Sequence, residues 1–146
     1  MTKALFIPTV MLIDDESFDQ KLYKRVIART GIVGEVLSFL YADEALVFLQ
    51  STDSRPVDVI FLDINMPRMN GFEFLEAATA TLGGRLAKII VVMLTTSLIE
   101  RDRERANSYA VVRRFINKPL TADHLIEVAQ MLARLKMENA AVQPSG

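Results

Sequence analysis

The sequence has no cysteine and a single histidine, and these shortages exclude several classes of function. Without cysteine the chain has no disulfides, no thiolate metal ligands and no cysteine nucleophile, which fits a reducing compartment such as the cytoplasm. With His124 as its one histidine, the chain cannot build a metal site from several imidazoles, and an internal Ser-His-Asp relay is disfavoured. Much of metalloenzyme and hydrolase chemistry is therefore excluded.

Neither an excess of one charge nor a long hydrophobic run is present. The 17 basic and 18 acidic residues give a net charge of −1, whereas proteins that bind nucleic acid or anionic membranes need a basic surface. The early apolar run from Ala4 to Ile13 contains Pro8 and leads directly into Asp14. This run is too short to cross about 30 Å of hydrocarbon as a helix. We expect a soluble, cytoplasmic protein with no nucleic-acid or membrane partner.

The apolar residues that are present favour one α/β domain. The chain has 146 residues, of which 51% are hydrophobic, so it is long enough for one domain and too apolar for intrinsic disorder. Short apolar runs alternate with segments of helical period, which is typical of a parallel sheet covered on both faces. We predict a doubly wound domain of five strands and five helices over residues 1–138, followed by a disordered tail over residues 139–146.

The bounds of these elements follow from the periodicity and from the turn residues. The predicted strands are Val10–Ile13, Val36–Phe39, Val57–Leu62, Ile89–Leu94 and Arg114–Ile116. The predicted helices are Ser17–Arg29, Asp43–Gln50, Asn70–Thr79, Ser97–Asn107 and Thr121–Met137. Capping boxes are expected for Ser17 with Gln20, Asn70 with Glu73 and Ser97 with Glu100. In the first helix we expect Phe18, Leu22 and Val26 to form the buried stripe, and Gly31 to follow its end.

Side chains that can bind ligands or take part in a reaction follow four of the five predicted strands. In an open parallel sheet the carboxyl ends of all strands lie at one edge, where ligands bind. The sequence places carboxylates, hydroxyls and one ammonium there: Asp14, Asp15 and Glu16 after the first strand, Asp63 after the third, Thr95, Thr96 and Ser97 after the fourth, and Lys118 after the fifth. We expect these groups to meet in one pocket.

Several carboxylates in one pocket need a cation or must give up their charge. Two carboxylates about 4 Å apart repel by roughly 4 kcal/mol at an effective dielectric constant near 20. A cluster of oxygen donors suits a hard divalent ion such as Mg²⁺, which also coordinates phosphate oxygens. With Lys118 as a second positive charge, the set has what phosphoryl transfer to a carboxylate needs.

Each motif also has an ordinary structural explanation when it is taken alone. An aspartate pair can stabilise a helix N-terminus, Asp63 can be a turn carboxylate, and Lys118 can be a solvated surface group. Thr95 to Ser97 can be a helix cap. The joint placement at four strand ends, in one order, favours a site over these explanations.

The motifs resemble a known family. The segments MLIDDES, VIFLDINMPRMNGFEFL, VVMLTTS and FINKPL are similar, in order and spacing, to the receiver domains of two-component response regulators, and the resemblance covers residues 8–136. It implies a flavodoxin-like sheet with the strand order 2-1-3-4-5. It also implies that Asp63 is the phosphoacceptor, that Lys118 contacts the phosphoryl group before a cis Lys118-Pro119 bond, and that Thr95 and Phe115 are the switch residues.

The same resemblance implies a cofactor and partners. Asp15, Asp63 and the backbone carbonyl of Asn65 would bind Mg²⁺, with Asp14 acting through a bound water. The phosphodonor would be a sensor histidine kinase or a histidine phosphotransfer protein. The output would pass to a downstream protein, or the phosphate would be relayed onward. Few residues follow Lys118, so we expect a stand-alone, chemotaxis-regulator-like receiver that signals through its fourth helix, fifth strand and fifth helix, with a homodimer through that surface as an alternative.

Three departures from the family pattern bear on these expectations. Thr96 stands beside Thr95 where the family has a smaller residue, and Phe115 lacks the hydroxyl of the commoner tyrosine. The loop from Asn107 to Arg113 lacks the usual Gly-Ala. We expect Thr96 to narrow access to Asp63, whereas the other two departures concern the output surface.

Three other functions remain open at this point. A flavin-binding electron carrier shares the fold class, but Asp14, Asp15 and Glu16 would repel a flavin phosphate. A Mg²⁺-dependent phosphatase with an aspartate nucleophile would have a second acid where this chain has Asn65. A degenerate receiver would act as a constitutive interaction module, but here every acceptor, metal and switch position is filled. We therefore expect a signalling domain and not an enzyme.

Overall fold

The computed structural model describes residues 5–51, 55–96 and 100–142. Within these ranges, strands and α-helices alternate strictly: β1 (Ile7–Ile13), α1 (Ser17–Thr30), β2 (Val33–Phe39), α2 (Ala42–Gln50), β3 (Val59–Asp63), α3 (Gly71–Leu82), β4 (Ile90–Thr95), α4 (Glu100–Asn107), β5 (Val112–Asn117) and α5 (Ala122–Val142). A short 3₁₀ helix, Gly83–Lys88, follows α3.

The five strands form one parallel sheet in the order β2-β1-β3-β4-β5. Both the doubly wound architecture and the strand order are therefore confirmed. Two buried clusters lie on opposite faces of the sheet. One includes residues of α2, α3 and α4, and the other includes residues of α1 and α5. In this order successive strands are added on one side of β1 and then, from β3 onward, on its other side. Ligands of such sheets bind outside the carboxyl ends of the strands at the point where the order reverses.

The central strands are almost entirely apolar because both of their faces are covered. In β3, for example, Ile60 and Leu62 belong to one core cluster, whereas Val59 and Phe61 belong to the other. The edge strands β2 and β5 are only half-buried. No helix in the described ranges combines the length and the hydrophobicity that a bilayer crossing requires.

Several elements are longer than the sequence predicts. Strand β1 begins at Ile7 and includes Pro8. A proline, which lacks an N–H, is tolerated there because β1 begins to pair with β3 only at Val10. Helix α3 continues to Leu82, and α5 continues to Val142. Residues 139–142 of the expected tail are thus helical, which accords with the high helix propensity of alanine in that segment.

The ends of the helices match the predictions only in part. Asn70 and Glu73 form the expected capping box, because each side chain accepts the other residue's backbone N–H, at 2.8 and 3.0 Å. Gly31 follows α1 with a φ of 66°, as the helix end requires. Ser97 lies outside the described residues.

The predictions for the first turn of α1 are wrong. Glu16 is the N-cap of the helix, and no side chain caps it. Gln20 is buried and binds strand carbonyls instead of completing a capping box with Ser17. The fully buried side chains of α1 are Gln20, Tyr23 and Ile27, whereas Phe18 is 73% exposed. Leu22 and Val26 of the expected stripe are partly buried and pack against the core cluster that contains Tyr23 and Ile27. Because the buried residue at position 20 is polar, the hydrophobic pattern indicated a stripe beside the face that is fully buried.

Gly71, the first residue of α3, lies against the carboxyl end of β3. Its N–H donates to the Ile64 carbonyl at 2.8 Å. A Cβ at this position would lie 2.6 Å from the Asp63 carbonyl oxygen and 3.1 Å from the Met93 Cε. The absence of a side chain therefore allows α3 to pack directly beneath Asp63.

We predict that Gly71→Ala lowers the free energy of unfolding by about 1–3 kcal/mol, because the backbone must shift to remove the clash with the Asp63 carbonyl. Chemical denaturation measures this change. Gly84→Ala is the matched control, since a Cβ there would meet nothing within 4 Å. Equal stability of the two variants would contradict the packing argument.

Candidate functional site

The carboxylates predicted to meet at the sheet edge do so. Asp14 and Asp15 directly follow β1, and Asp63 is the last residue of β3, so they flank the point where the strand order reverses. One carboxylate oxygen from each residue lies within 4.8 Å of the other two. Asp14 and Asp63 are buried and Asp15 is half-buried, whereas Glu16 is exposed at the rim.

Lys118 places its ammonium among these carboxylates. It follows β5, and its backbone N–H donates to the Thr95 carbonyl at 2.9 Å. Its Nζ lies 2.8 Å from Asp14 Oδ2 and 3.6 Å from Asp63 Oδ1. The Lys118-Pro119 peptide bond is cis, as the resemblance implies. The side chain is only 10% exposed, so water screens these contacts weakly.

Burial raises the pKa of Asp63 to about 7, because a charged carboxylate loses its hydration there. The Lys118 charge and the Ile64 N–H, which donates to Asp63 Oδ1 at 2.9 Å, lower this pKa, but the charge of Asp14 raises it. Burial likewise raises the pKa of Asp14, despite its hydrogen bond to Lys118. The carboxylates of the pocket therefore have too little positive charge around them.

The pKa of Lys118 also shows that the negative charge of the carboxylates exceeds the positive charge in the pocket. Burial by itself lowers the pKa of the ammonium, but the hydrogen bonds to Asp14 and Asp19 and the charge of Asp63 outweigh burial and leave the pKa above its usual range. Lys118 is therefore protonated at neutral pH. One ammonium among several carboxylates leaves the pocket negative.

This donor set fits a hard divalent cation. Asp14, Asp15 and Asp63 offer carboxylate oxygens, which Mg²⁺ prefers over nitrogen and sulfur ligands. Asn65 lies two residues beyond Asp63 and is exposed in the loop that leads to α3. Its carbonyl as a further ligand remains a prediction.

Thr95 and Phe115 lie on the neighbouring strands. Thr95 is the last residue of β4 and is fully buried, whereas Thr96 is exposed. Phe115 pairs with Met93 in the sheet, is half-buried and packs against the core cluster that contains Met93. Because side chains alternate along a strand, Thr95 and Met93 share one face of β4. The two residues expected to form a switch thus lie on the same side of the sheet.

Arg103 and Arg105 of α4 contact neighbours outside their own helix. The guanidinium of Arg103 lies 5.5 Å from the centre of the Phe115 ring. That of Arg105 lies 4.4 Å from the centre of the Phe72 ring and 3.3 Å from Glu76 Oε1. These contacts join α4 to β5 and to α3.

Sequence reasoning missed two polar residues of the site. Gln20 donates from Nε2 to the carbonyls of Asp14 at 3.1 Å and Phe39 at 3.0 Å, which ties the ends of β1 and β2 together beneath the pocket. Asp19 Oδ2 lies 3.0 Å from Lys118 Nζ. Both residues lie in the first turn of the helix that follows the aspartate pair, and this position could have indicated that they belong to the site.

The doubly wound sheet, with a carboxylate–lysine pocket where its strand order reverses, defines an α/β domain of flavodoxin-like topology. Residues 10–130 match the response regulator receiver domain family. The chain belongs to this family, whose members act in two-component signal transduction.

Three similar proteins illustrate the relationship. A two-component response regulator from Cytophaga hutchinsonii superposes with a TM-score of 0.83 at 30% identity, covering 88% of this chain and 98% of that one. The chemotaxis protein CheY of Pseudomonas aeruginosa is 27% identical over 81% of this chain and 90% of its own length. The sensor histidine kinase CheAY of Helicobacter pylori is 27% identical over 87% of this chain.

The chain spans only part of several relatives. It covers 15% of the Helicobacter kinase, 46% of a stress response regulator from Meyerozyma guilliermondii and 48% of a response regulatory protein from Vibrio cholerae. Receiver domains with this sequence pattern therefore occur both within longer proteins and, as in the Pseudomonas protein, along most of a short chain.

We predict that Asp63→Asn raises the free energy of unfolding of the metal-free protein by about 1–3 kcal/mol at about pH 8. The pKa of Asp63 is about 7 in the folded state against 3.8 as the ordinary value, so the folded state binds this proton more tightly. The resulting stabilisation is complete below about pH 4 and is lost as the pH rises through about 7.

Chemical denaturation in chelator at about pH 5 and about pH 8 measures this effect, and the gain should be larger at the higher pH. Glu104→Gln removes one charge from an exposed position of α4 and is the control, with an expected change below about 0.5 kcal/mol. A gain from Asp63→Asn that is the same at both pH values would contradict the assignment.

Proposed function

We propose that this receiver acts in the cytoplasm and accepts a phosphoryl group on Asp63 from the phosphohistidine of a sensor histidine kinase or a histidine phosphotransfer protein. The observation that carries the proposal is the pocket in which Asp63 shares its surroundings with two further carboxylates and with Lys118 Nζ at 3.6 Å. Membership of the receiver family supports it. In this role the protein is a signalling domain and not an enzyme that turns over a substrate.

Transfer begins when a carboxylate oxygen of Asp63 attacks the phosphorus atom. The bond between phosphorus and the donor's imidazole nitrogen breaks, its electron pair stays on that nitrogen, and the nitrogen takes up a proton. The product is an acyl phosphate on Asp63. The hydrogen bond from the Ile64 N–H to Oδ1 orients the carboxylate for this attack.

Asp63 must be ionised to attack, and its raised pKa works against ionisation at neutral pH. Asp15, Asp63 and the Asn65 carbonyl would hold Mg²⁺, with Asp14 acting through a water. Bound there, the ion supplies the charge that keeps the carboxylates ionised and neutralises phosphoryl oxygens.

Lys118 supplies the second positive charge. Its ammonium already lies between Asp14 and Asp63, so a short movement of a flexible side chain brings it to a phosphoryl oxygen on Asp63. The Thr95 hydroxyl donates to another phosphoryl oxygen from the end of the adjacent strand. Together these groups balance the charge that develops during transfer.

The output follows from the placement of Thr95 and Phe115 on one face of the sheet. When Thr95 turns toward the phosphoryl group, space opens beside it, and Phe115 moves inward from its contact with Arg103. This shift changes the surface formed by α4, β5 and α5, which binds a downstream protein or a second copy of the chain. A ligand that favours one arrangement by a few kcal/mol changes its population substantially.

Asp63 is expected to be the one residue that gains a phosphoryl group when the protein is incubated with acetyl phosphate and Mg²⁺. Intact-mass spectrometry should show a single addition in the unchanged protein and none in Asp63→Asn, and chelation of Mg²⁺ should abolish it. Asp123→Asn, the same change in the first turn of α5, should be labelled normally. A label on another side chain, or labelling of Asp63→Asn, would contradict the proposal.

Thr95→Ala should remain phosphorylatable but lose the coupling to Phe115. We expect the NMR resonances of the Phe115 ring to shift when beryllium fluoride and Mg²⁺ bind to the unchanged protein, and to stay in place in the variant. Thr96→Ala, at the exposed neighbouring position, should respond like the unchanged protein. Equal shifts in the Thr95 and Thr96 variants would remove Thr95 from the switch.

A further inference from the structure

Lys118 has a partner that the proposed transfer does not use. Its Nζ lies 3.0 Å from Asp19 Oδ2, a contact between the end of β5 and the first turn of α1 across 99 positions of sequence. The distance to Asp19 is close to the 2.8 Å that separates Nζ from Asp14 Oδ2. Both are hydrogen-bond distances for an ammonium and a carboxylate.

The contacts of Lys118 are unequal. Its ammonium has three N–H donors, and those directed at Asp14 and Asp19 form hydrogen bonds, whereas Asp63 Oδ1 at 3.6 Å is beyond hydrogen-bond reach. The third N–H is available for a phosphoryl oxygen on Asp63, but to bring it there the ammonium must move toward Asp63, and this movement stretches one of its two existing bonds until it breaks.

Burial decides which of the two bonds breaks. The Asp14 side chain is 5% exposed, so loss of the ammonium would leave a buried carboxylate without its partner. The Asp19 side chain is 25% exposed, so water can replace the ammonium there. The bond to Asp19 is therefore the one that can be exchanged for a phosphoryl oxygen.

We propose that Asp19 is a positioning residue that restrains Lys118 on the α1 side of the pocket, away from Asp63, until the phosphoryl group arrives. The inference rests on the proposed phosphorylation of Asp63. Removing the restraint lets Lys118 approach Asp63 before the donor binds, so that phosphorylation becomes faster. Asp19 thus sets how readily the resting receiver accepts phosphate.

The simpler explanation is that Asp19 only stabilises the N-terminus of α1, as an acid in a first helical turn does. That role predicts a change in stability but none in phosphorylation. Asp123 also lies in the first turn of its helix, α5, so Asp123→Asn reproduces the helix effect. Glu16→Gln removes a negative charge from an exposed side chain beside the pocket and reproduces the charge effect, while the backbone N–H of residue 16 is kept.

The test measures the rate of Asp63 phosphorylation by acetyl phosphate at saturating Mg²⁺, by rapid quenching and intact-mass spectrometry. Asp19→Asn is expected to react about three- to fivefold faster than the unchanged protein, as loss of a partly exposed ion pair permits. Asp19→Glu, which keeps the charge and the ability to bind Lys118, and both controls should stay within about 1.5-fold. Thermal melting confirms that each variant is folded.

Three results would overturn the inference. A rate for Asp19→Asn at or below that of the unchanged protein would mean that Asp19 does not restrain Lys118. An equal gain in phosphorylation rate in Glu16→Gln would mean that the effect comes from the net charge near the pocket and not from the contact with Lys118. If the unchanged protein gains no label on Asp63, the proposed function and this inference both fail, whereas normal labelling without a gain in Asp19→Asn overturns the inference alone.

Discussion

The contact between the Lys118 ammonium and the carboxylates at the sheet edge is the interaction on which the site depends. Asp14 and Asp63 are buried, and their pKa values are raised because one ammonium does not compensate for the hydration that both lose. Buried negative charges are costly unless further positive charge is bound beside them. In the proposed function, a divalent cation and the Lys118 side chain together would meet this requirement, and a phosphoryl group on Asp63 would be tolerable only with both present.

The fold places this pocket where it is. Because the strand order reverses between β1 and β3, the helices that follow them leave on opposite faces and open a crevice at the carboxyl ends. Gly71 lets α3 begin directly beneath Asp63, and Gln20 ties β1 to β2 below Asp14. The backbone that carries the acidic residues is thus held by contacts that do not depend on the charge of their side chains.

The parts that the sequence predicted well are those with strong local patterns. The apolar runs of β3 and β4 are buried on both faces, so their pattern identified them as strands of a covered parallel sheet and marked the residues that follow them, whereas the strand order came from the family resemblance. The α1 capping box and the burial of Phe18 were mispredicted because Gln20 is polar yet buried, and a hydrophobic period does not register such a residue. The Asp19–Lys118 contact spans most of the chain, so only the folded structure reveals it. That Thr95 and Phe115 lie on one face of the sheet follows from the register between β4 and β5, which the sequence does not show.

The assignment on which the proposed function rests is that the carboxylate pocket binds a divalent cation. Calorimetric titration of Mg²⁺ into the unchanged protein, Asp15→Asn and the exposed charge control Glu104→Gln tests it most directly. Asp15 is half-buried and can be changed without emptying the core of the pocket. We expect one Mg²⁺ to bind to the unchanged protein and to Glu104→Gln, and Asp15→Asn to bind it about tenfold or more weakly. Equal affinity in all three proteins, or no binding in any, would contradict the account.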